Sequence, residues 1–278
     1  MLGMLLALSL GSASADGPVL NLPQPPSPPP APPCTVEMLR QRPAGDKSWP
    51  IACSRTKLGT ADEELDLSGA HLSYGDFEEA TFKGKGVIKL NGTSLAHADL
   101  SGSKVTALAS SYGDATIDFT GADLANADLS GSTLTAKGSY ESTIDFSGAN
   151  LAHADLSSSS LAVDGKEATI RFTEANLANA NLRGSKLTAI SSYADATIDF
   201  TQADLTHADL SGSELTAEGY DASLIDFTQA DLAHADLSGS KLASTTGNGN
   251  ATINFLEANL TNADLSGSEV TAVSITYG

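Results

Sequence analysis

Histidine and aspartate recur in this chain at a fixed spacing, and imidazole and carboxylate together are ligands that suit zinc or manganese. About every 27 residues a His or Asn is followed two positions later by an Asp or Asn. His207, Asp209, His234 and Asp236 belong to two successive members of this series, which makes them candidates for a divalent metal site. Columns of Asp and Asn alone would suit calcium. The simpler interpretation assigns these residues to turns, where backbone hydrogen bonds, water and salt offset the repulsion between carboxylates.

The other residue patterns predict no catalytic chemistry and no bound cofactor. Serine is abundant, but no G-x-S-x-G motif places one at a strand-to-helix turn. The glycines form no phosphate-binding loop and instead recur once per block at one position. This column consists of Gly102, Gly131, Gly184, Gly212, Gly239 and Gly267. The sequence therefore predicts a protein that is not an enzyme.

The large apolar residues identify the elements that carry these side chains. They return every five positions, as at Phe119, Leu124, Leu129 and Leu134. A helix would place them every three or four positions, and a flat strand every two. A spacing of five indicates short segments separated by turns, each pointing one bulky side chain inward. The residue two positions before each bulky one is small, as at Ala122, so a closed coil has room for the bulky side chain.

About thirty tandem five-residue matches of this kind cover roughly three quarters of the chain. They resemble the pentapeptide-repeat family, whose members fold as right-handed quadrilateral β-helices with one pentapeptide per side. The resemblance implies an all-β parallel solenoid of about eight coils over residues 65–272. The first side of six consecutive coils has a Phe at its centre, which predicts a stacked aromatic core. Its members are Phe119, Phe146, Phe172, Phe200, Phe227 and Phe255.

An insert of about six to nine residues follows the fourth pentapeptide of most coils, as at 137–143, 164–169, 190–197 and 245–252. Because a packed wall cannot absorb extra residues, we expect these inserts to be surface loops along one edge. Several carry a tyrosine among Gly, Ser and Asp: Tyr112, Tyr140, Tyr193 and Tyr220. Each tyrosine either folds back over its own coil or joins an exposed ridge that contacts a partner, since Tyr supplies contact area at low entropic cost.

The N-terminal residues predict export and a tether. Residues 1–15 form an apolar run ending in Ala-Ser-Ala, which is typical of a cleaved export signal and is too short to span a membrane. Residues 16–33 are rich in proline and predict an extended linker without a core. No second apolar run of membrane length follows. The expected location is extracellular, periplasmic or in the thylakoid lumen.

Cys34 and Cys53 are the two cysteines of the chain. In an oxidising compartment, cysteines this close are predicted to form a disulfide across a loop of about twenty residues, worth about 3 kcal/mol. Residues 34–64 are then expected to cap the N-terminal end of the solenoid, because an open end exposes unpaired backbone. Trp49 is expected to pack on the first coil.

The C-terminal end has only residues 273–278 beyond the last coil. Six residues are too few for a capping helix, and an uncovered coil offers backbone donors and acceptors to another chain. The sequence therefore predicts weak self-association through the C-terminal coil, with Ile275 and Tyr277 adding apolar contact.

Fifteen basic and thirty-four acidic residues give a net charge of −19 at pH 7. This charge opposes direct binding to nucleic acid or anionic membranes and favours basic partners. We therefore predict a non-catalytic exported scaffold or protein-interaction module with an unknown protein partner. Its layout resembles that of exported and thylakoid-lumenal pentapeptide-repeat proteins.

Two other functions fit parts of the sequence. Some members of the family protect DNA gyrase by mimicking duplex DNA, and the net charge suits that role, whereas the export signal and the lack of a helical C-terminal dimerisation segment oppose it. Repeated threonines, such as Thr188 and Thr216, would suit an ice or crystal surface. The charged residues Lys186 and Glu214 beside them interrupt such a surface.

Overall fold

The computed structural model describes residues 34–44, 51–110 and 112–275. The export segment 1–15, the linker 16–33, Trp49 and Tyr277 lie outside the described residues. The one helix of the described part is α1 (Val36–Gln41). The strands are β1 (Lys57–Leu58), β2 (Leu65–Asp66), β3 (Thr81–Lys85), β4 (Val87–Lys89), β5 (Lys104–Leu108), β6 (Ala115–Asp118), β7 (Thr133–Lys137), β8 (Glu141–Asp145), β9 (Ser160–Gly165), β10 (Glu167–Arg171), β11 (Lys186–Ser191), β12 (Ala196–Asp199), β13 (Glu214–Gly219), β14 (Ser223–Asp226), β15 (Lys241–Thr246), β16 (Ala251–Asn254) and β17 (Glu269–Ser274).

The strands form two parallel sheets that are two sides of one solenoid. The odd-numbered strands pair in order from β1 to β17, and the even-numbered strands pair in order from β2 to β16. The other two sides are columns of single-residue bridges, one running from His71 to Asn259 and the other from Ala52 to Asp264. Each coil therefore has four sides, and the predicted all-β parallel solenoid of about eight turns is confirmed.

Three of the four corners are tight turns with one residue in the left-handed region. In the coil that starts at Phe119, the Phe119 carbonyl accepts a hydrogen bond from the N–H of Ala122 at 2.9 Å. Gly121 in this turn has φ 61°. Asn126 and Gly131 occupy the same place in the next two corners, at 57° and 62°. Gly adopts this conformation without strain, and Asn and His tolerate it better than most residues, which explains the residue types of these columns.

The inward side chains form one continuous core. The six phenylalanines lie ring on ring, with centroids 4.7–5.0 Å apart and ring planes within 5° of parallel. The first five of these rings are fully buried, whereas Phe255 in the last coil is only half-buried. The small residues between the bulky centres, such as Ala122 and Ala127, are buried as well.

The inserts at the fourth corner are part strand and part turn, so the expectation of surface loops applies only to their tips. Lys166 alone separates β9 from β10, and three residues separate β7 from β8. The strands continue beyond the four-sided core because small inward side chains alternate with outward ones there. Ala136 and Ser142 are both buried where the two sheets approach each other. Only the tips of the inserts are turns, and they follow one another along the edge of the solenoid.

The N-terminal end of the solenoid is covered. Cys34 and Cys53 form the predicted disulfide, with Cα atoms 5.4 Å apart. Thr35 caps α1 by accepting the N–H of Met38 at 3.2 Å, and Leu39 is buried. The side chain of Arg40 donates to the carbonyl of Asp66 at 2.6 Å. Within the described residues, no helix is long and apolar enough to cross a membrane.

The last coil is open by comparison. Its four central residues are Phe255, Leu260, Leu265 and Val270, and Val270 is 50% exposed. The equivalent residue of the preceding coil, Leu242, is only 2% exposed. The apolar cross-section of the solenoid is therefore accessible at this end.

Replacing Phe172 with Ala tests the aromatic core. Phe172 contacts a ring on each side and is fully buried, so we expect the substitution to lower the free energy of unfolding by about 3–5 kcal/mol. Phe255→Ala is the matched control and is expected to cost less than half as much, because Phe255 stacks on Phe227 and is half-buried. Denaturant unfolding measures both values. A loss below about 1 kcal/mol for Phe172→Ala would contradict this assignment of the core.

Candidate functional site

The histidine column lies on an exposed corner of the solenoid. His207 and His234 have φ values of 57° and 60°, so each occupies the left-handed position of its turn. Their rings stack with centroids 4.7 Å apart and an angle of 8° between planes. Because the nitrogen lone pairs lie in the ring planes, two parallel rings do not direct them at a common point. This arrangement does not bring the two histidines together as ligands of one ion.

The neighbouring carboxylates are occupied by their own turns. Oδ1 of Asp209 accepts the N–H of Ser211 at 2.8 Å, and Oδ1 of Asp236 accepts the N–H of Ser238 at 2.8 Å. In the part of the chain that the structure describes, no three His, Cys, Asp or Glu side chains converge to hold a metal ion. The geometry thus favours a turn-forming role for Asp209 and Asp236.

Asparagine relieves the repulsion within the acidic columns, a feature that sequence reasoning missed. The amide of Asn150 donates to the carboxylate of Asp123 in the coil below at 3.0 Å. Asn181 donates to Asp155 at 3.1 Å, and Asn259 donates to Asp231 at 2.9 Å. The mixture of Asn and Asp at one repeat position was the available signal. Stacked side chains of these two types can hydrogen-bond from coil to coil, whereas two carboxylates repel.

The turn hydrogen bonds also shift the titration of two carboxyl groups. The N–H and the hydroxyl of Ser266 donate to Asp264 and lower its pKa below the usual value. The hydroxyl and the N–H of Ser68 lower the pKa of Asp66 in the same way. Hydrogen bonds to the charged form stabilise that form, which is the cause in both cases.

The tyrosines of the inserts lie along the fourth corner. We use the name insert edge for six turns of this corner. They are the turns between β5 and β6, β7 and β8, β9 and β10, β11 and β12, β13 and β14, and β15 and β16. Tyr112 is 81% exposed and Tyr193 is 72% exposed, and Tyr140 and Tyr220 are exposed as well. The rings of Tyr112 and Tyr140, on adjacent coils, have centroids 6.3 Å apart. The side chains thus project from the edge and are not covered by their own coils.

Two grooves lie between neighbouring turns of the insert edge. The first has a volume of about 340 Å³ and is lined by Tyr112, Asp114, Tyr140, Glu141, Lys166 and Glu167. The second has a volume of about 380 Å³, and its lining includes Ile190, Tyr220 and Ile275. Sequence reasoning did not single out Ile190 and Leu108, which are exposed on this edge. Their outward position directly after the inward Ala107 and Ala189 was the available signal.

The outer face of the odd-numbered strands combines threonine with charge. Strand pairing places Thr188 beside Thr216, and Lys186 beside Glu214. The ammonium of Lys186 lies 3.2 Å from the Glu214 carboxylate, and that of Lys241 lies 3.7 Å from it. The threonines therefore share their face with a ladder of ion pairs and do not form an uncharged array.

The repeats of this chain match those of known proteins. The family model for pentapeptide repeats matches the chain in eight copies, and the matched residues include 117–136, 170–189 and 198–217. Among solved structures, the chain is similar to HetL, a pentapeptide repeat protein involved in heterocyst differentiation regulation from the cyanobacterium Nostoc sp. strain PCC 7120. The identity is 22% over 80% of this chain and 88% of HetL, with a TM-score of 0.21.

The chain is also similar to full-length QnrB1, a plasmid-mediated fluoroquinolone resistance protein. The identity is 20% over 82% of this chain and 90% of QnrB1, with a TM-score of 0.19. No curated protein sequence matches the chain.

Acid titration of Asp264 tests the turn assignment. Its pKa is lower in the folded state than the value near 3.9 of the unfolded chain. The stabilisation is therefore complete above about pH 5 and is lost as the pH falls through the folded-state pKa. Asp264→Asn keeps an acceptor, as Asn181 does in the same column, and removes the titration. We expect protection of the Ser266 amide against hydrogen exchange to fall at low pH in the natural protein and to stay constant in the variant. Equal pH dependence in both proteins would contradict the assignment.

Proposed function

Because this chain belongs to the pentapeptide-repeat family, we propose that it is a non-catalytic exported scaffold that binds partner proteins on a rigid acidic solenoid. The proposal rests on the structure of the insert edge. Strand pairing in both sheets fixes the position of each turn, and exposed tyrosines project from four of the turns. A rigid element that presents aromatic side chains to solvent is a typical protein-binding surface.

Three further features support the remaining parts of the proposal. The apolar run at 1–15 with its Ala-Ser-Ala end supports export. The net charge of −19 supports a partner with basic surface, because complementary charge speeds association and excludes like-charged proteins. Oxidation of Cys34 and Cys53 to a disulfide is also consistent with an oxidising compartment.

Proximity labelling in the native compartment tests this function. A labelling enzyme fused to the full chain is expected to mark a reproducible set of proteins that an exported control of equal charge does not mark. A variant with Ser in place of Tyr112, Tyr140, Tyr193 and Tyr220 should lose this labelling at least about fivefold, because these exposed side chains supply the contact area. Marking no protein above the charge-matched control would reject the scaffold function.

An acidic column favours a second candidate function, that of a DNA mimic that regulates a nucleic-acid enzyme. Asp209, Asp236 and Asp264 lie on successive coils with their carboxylates on one side of the solenoid. A regular row of negative charge resembles the phosphates of one DNA strand. This candidate predicts that the labelled protein is a DNA-binding enzyme and that Asp209→Asn with Asp236→Asn abolishes the labelling. The tyrosine variant would then keep it.

We also propose weak self-association through the C-terminal coil. The exposed central residues Leu260 and Val270 form an apolar surface at that end, whereas α1 and the disulfide cover the other end. Contact between two C-terminal coils would bury these residues in both copies. In a head-to-tail contact the C-terminal coil of one copy would instead face α1 and the disulfide of the other copy, which already cover that end.

Sedimentation velocity over a wide concentration range tests self-association. The natural protein is expected to show a dimer at high concentration, and Val270→Lys should remain a monomer because it places a charge at the contact. Thr245→Lys on the neighbouring outer surface is the control and should still dimerise. A natural protein that stays monomeric at every concentration would contradict this proposal.

A further inference from the structure

We infer that a lysine patch near the N-terminal end of the solenoid binds a short acidic segment of a partner protein. The patch consists of Lys57, Lys83 and Lys104, which surround Thr81 on the outer face of the odd-numbered strands. It is a second interaction surface, opposite in charge to the acidic solenoid for which a basic partner is proposed above. Three features support it: the distribution of charge along the chain, the register of three strands and the residues that border the patch.

The net charge of −19 is not spread evenly along the chain. Residues 34–104 contain nine basic and ten acidic residues, whereas residues 105–278 contain six basic and twenty-three acidic residues. The first coils are therefore nearly neutral, and the later coils carry almost all of the excess negative charge. An anionic group can approach the first coils because salt screens exposed charges that are more than about 10 Å away.

Strand pairing brings the three lysines together. Thr81 on β3 pairs with Lys57 on β1 and with Lys104 on β5, so the two lysines lie on either side of it. Lys83 is two residues further along β3 and points outward as Thr81 does. Adjacent strands are about 4.8 Å apart, so the backbone positions of Lys57 and Lys104 are about 10 Å apart. Lys83 lies about 7 Å from Thr81 along the strand.

These lysines lack the carboxylate partners that other lysines of the same face have. Within the described residues, none of the three takes part in an ion pair. Lys186 and Lys241, in the same column as Lys57 and Lys104, both contact Glu214. The outward residues of β1, β3, β5 and β7 include no carboxylate. An added anion would therefore offset the repulsion among these ammonium groups.

Carboxylates border the patch and limit the size of the anion that fits it. Lys85, at the far end of β3, shares a groove of about 440 Å³ with Asp62 and Glu64. Glu79 lies in the turn before β3, and Asp164 is the first carboxylate along the outer face beyond β7. A long polyanion would extend past these borders and meet the acidic coils. A segment of three or four residues, about 10–13 Å long when extended, fits within them.

The residue types of the patch favour the carboxylates of a protein segment. Phosphate groups are recognised most specifically by arginine, whose planar guanidinium binds two oxygens at once, and the patch has none. Each lysine is a point charge on a flexible stem, so three lysines can contact three separate carboxylates. The hydroxyl of Thr81 adds a hydrogen-bond donor between them. A run of aspartate or glutamate in a partner protein therefore matches the patch.

Two labelled peptides that differ only in charge test the inference. One contains four glutamates flanked by glycine and serine, and the other contains glutamine in place of each glutamate. Fluorescence anisotropy with the full chain is expected to show the glutamate peptide binding at least about tenfold tighter at low ionic strength, and added salt should weaken it. Equal binding of the two peptides, or no binding of the glutamate peptide at millimolar concentration, would overturn the inference.

Two double variants with the same change of charge locate the site. Lys57→Gln with Lys104→Gln is expected to weaken binding of the glutamate peptide at least about fivefold. Lys186→Gln with Lys241→Gln is the matched control and should change it less than about twofold, because Glu214 already contacts both lysines. All four lysines are exposed, so we expect both variants to fold, and thermal unfolding checks this. An equal loss in both variants would show a response to net charge alone and would overturn the inference.

Two longer polyanions test whether the occupant is a protein segment. The probes are a DNA duplex of about 20 base pairs and vesicles that contain anionic lipid. Both are expected to bind more weakly than the glutamate peptide, because they extend over the carboxylates that border the patch. Tighter binding of either probe, lost in Lys57→Gln with Lys104→Gln, would show that the patch binds a different class of partner.

Discussion

Pairing of each coil with the next in identical register is the constraint on which the rest of the structure depends. The N–H of Phe119 donates to the carbonyl of Asp145 at 2.7 Å, and the same bond repeats coil after coil. Every side chain therefore lies directly above its counterpart in the neighbouring coil. A residue type suits a position only if it tolerates a copy of itself, or a complementary residue, about 4.8 Å away.

This constraint explains both the core and the polar columns. Phenylalanine meets it by parallel ring stacking, and leucine and alanine meet it by close packing. Aspartate meets it less easily, because carboxylates repel at this distance. The turn N–H two residues later binds each carboxylate, and asparagine at intervals donates to the carboxylate of the coil below. The columns that suggested a metal site are thus explained by the requirements of stacking and turning.

The same constraint determines where a partner can bind. Three corners are tight turns with one left-handed residue each, and they leave little room for variation. Only the fourth corner accepts insertions, because both sheets continue past it and the chain can reverse at different distances from the core. The exposed tyrosines and the two grooves are found at this corner. Variation in length and variation in surface chemistry therefore coincide.

The sequence by itself determined the repeat, the inward residues, the turn chemistry and the pairing of Cys34 with Cys53. Each of these depends on residues close in the chain or on a count of cysteines, so a period of five and a short loop suffice to derive them. Only the tertiary structure decided how far the inserts continue as strands, that the rings of His207 and His234 stack in parallel, and that Asn150 bonds to Asp123. These features depend on side-chain directions in two coils at once, between residues about 27 positions apart. Their physical reason is the contact between coils, which no local pattern specifies.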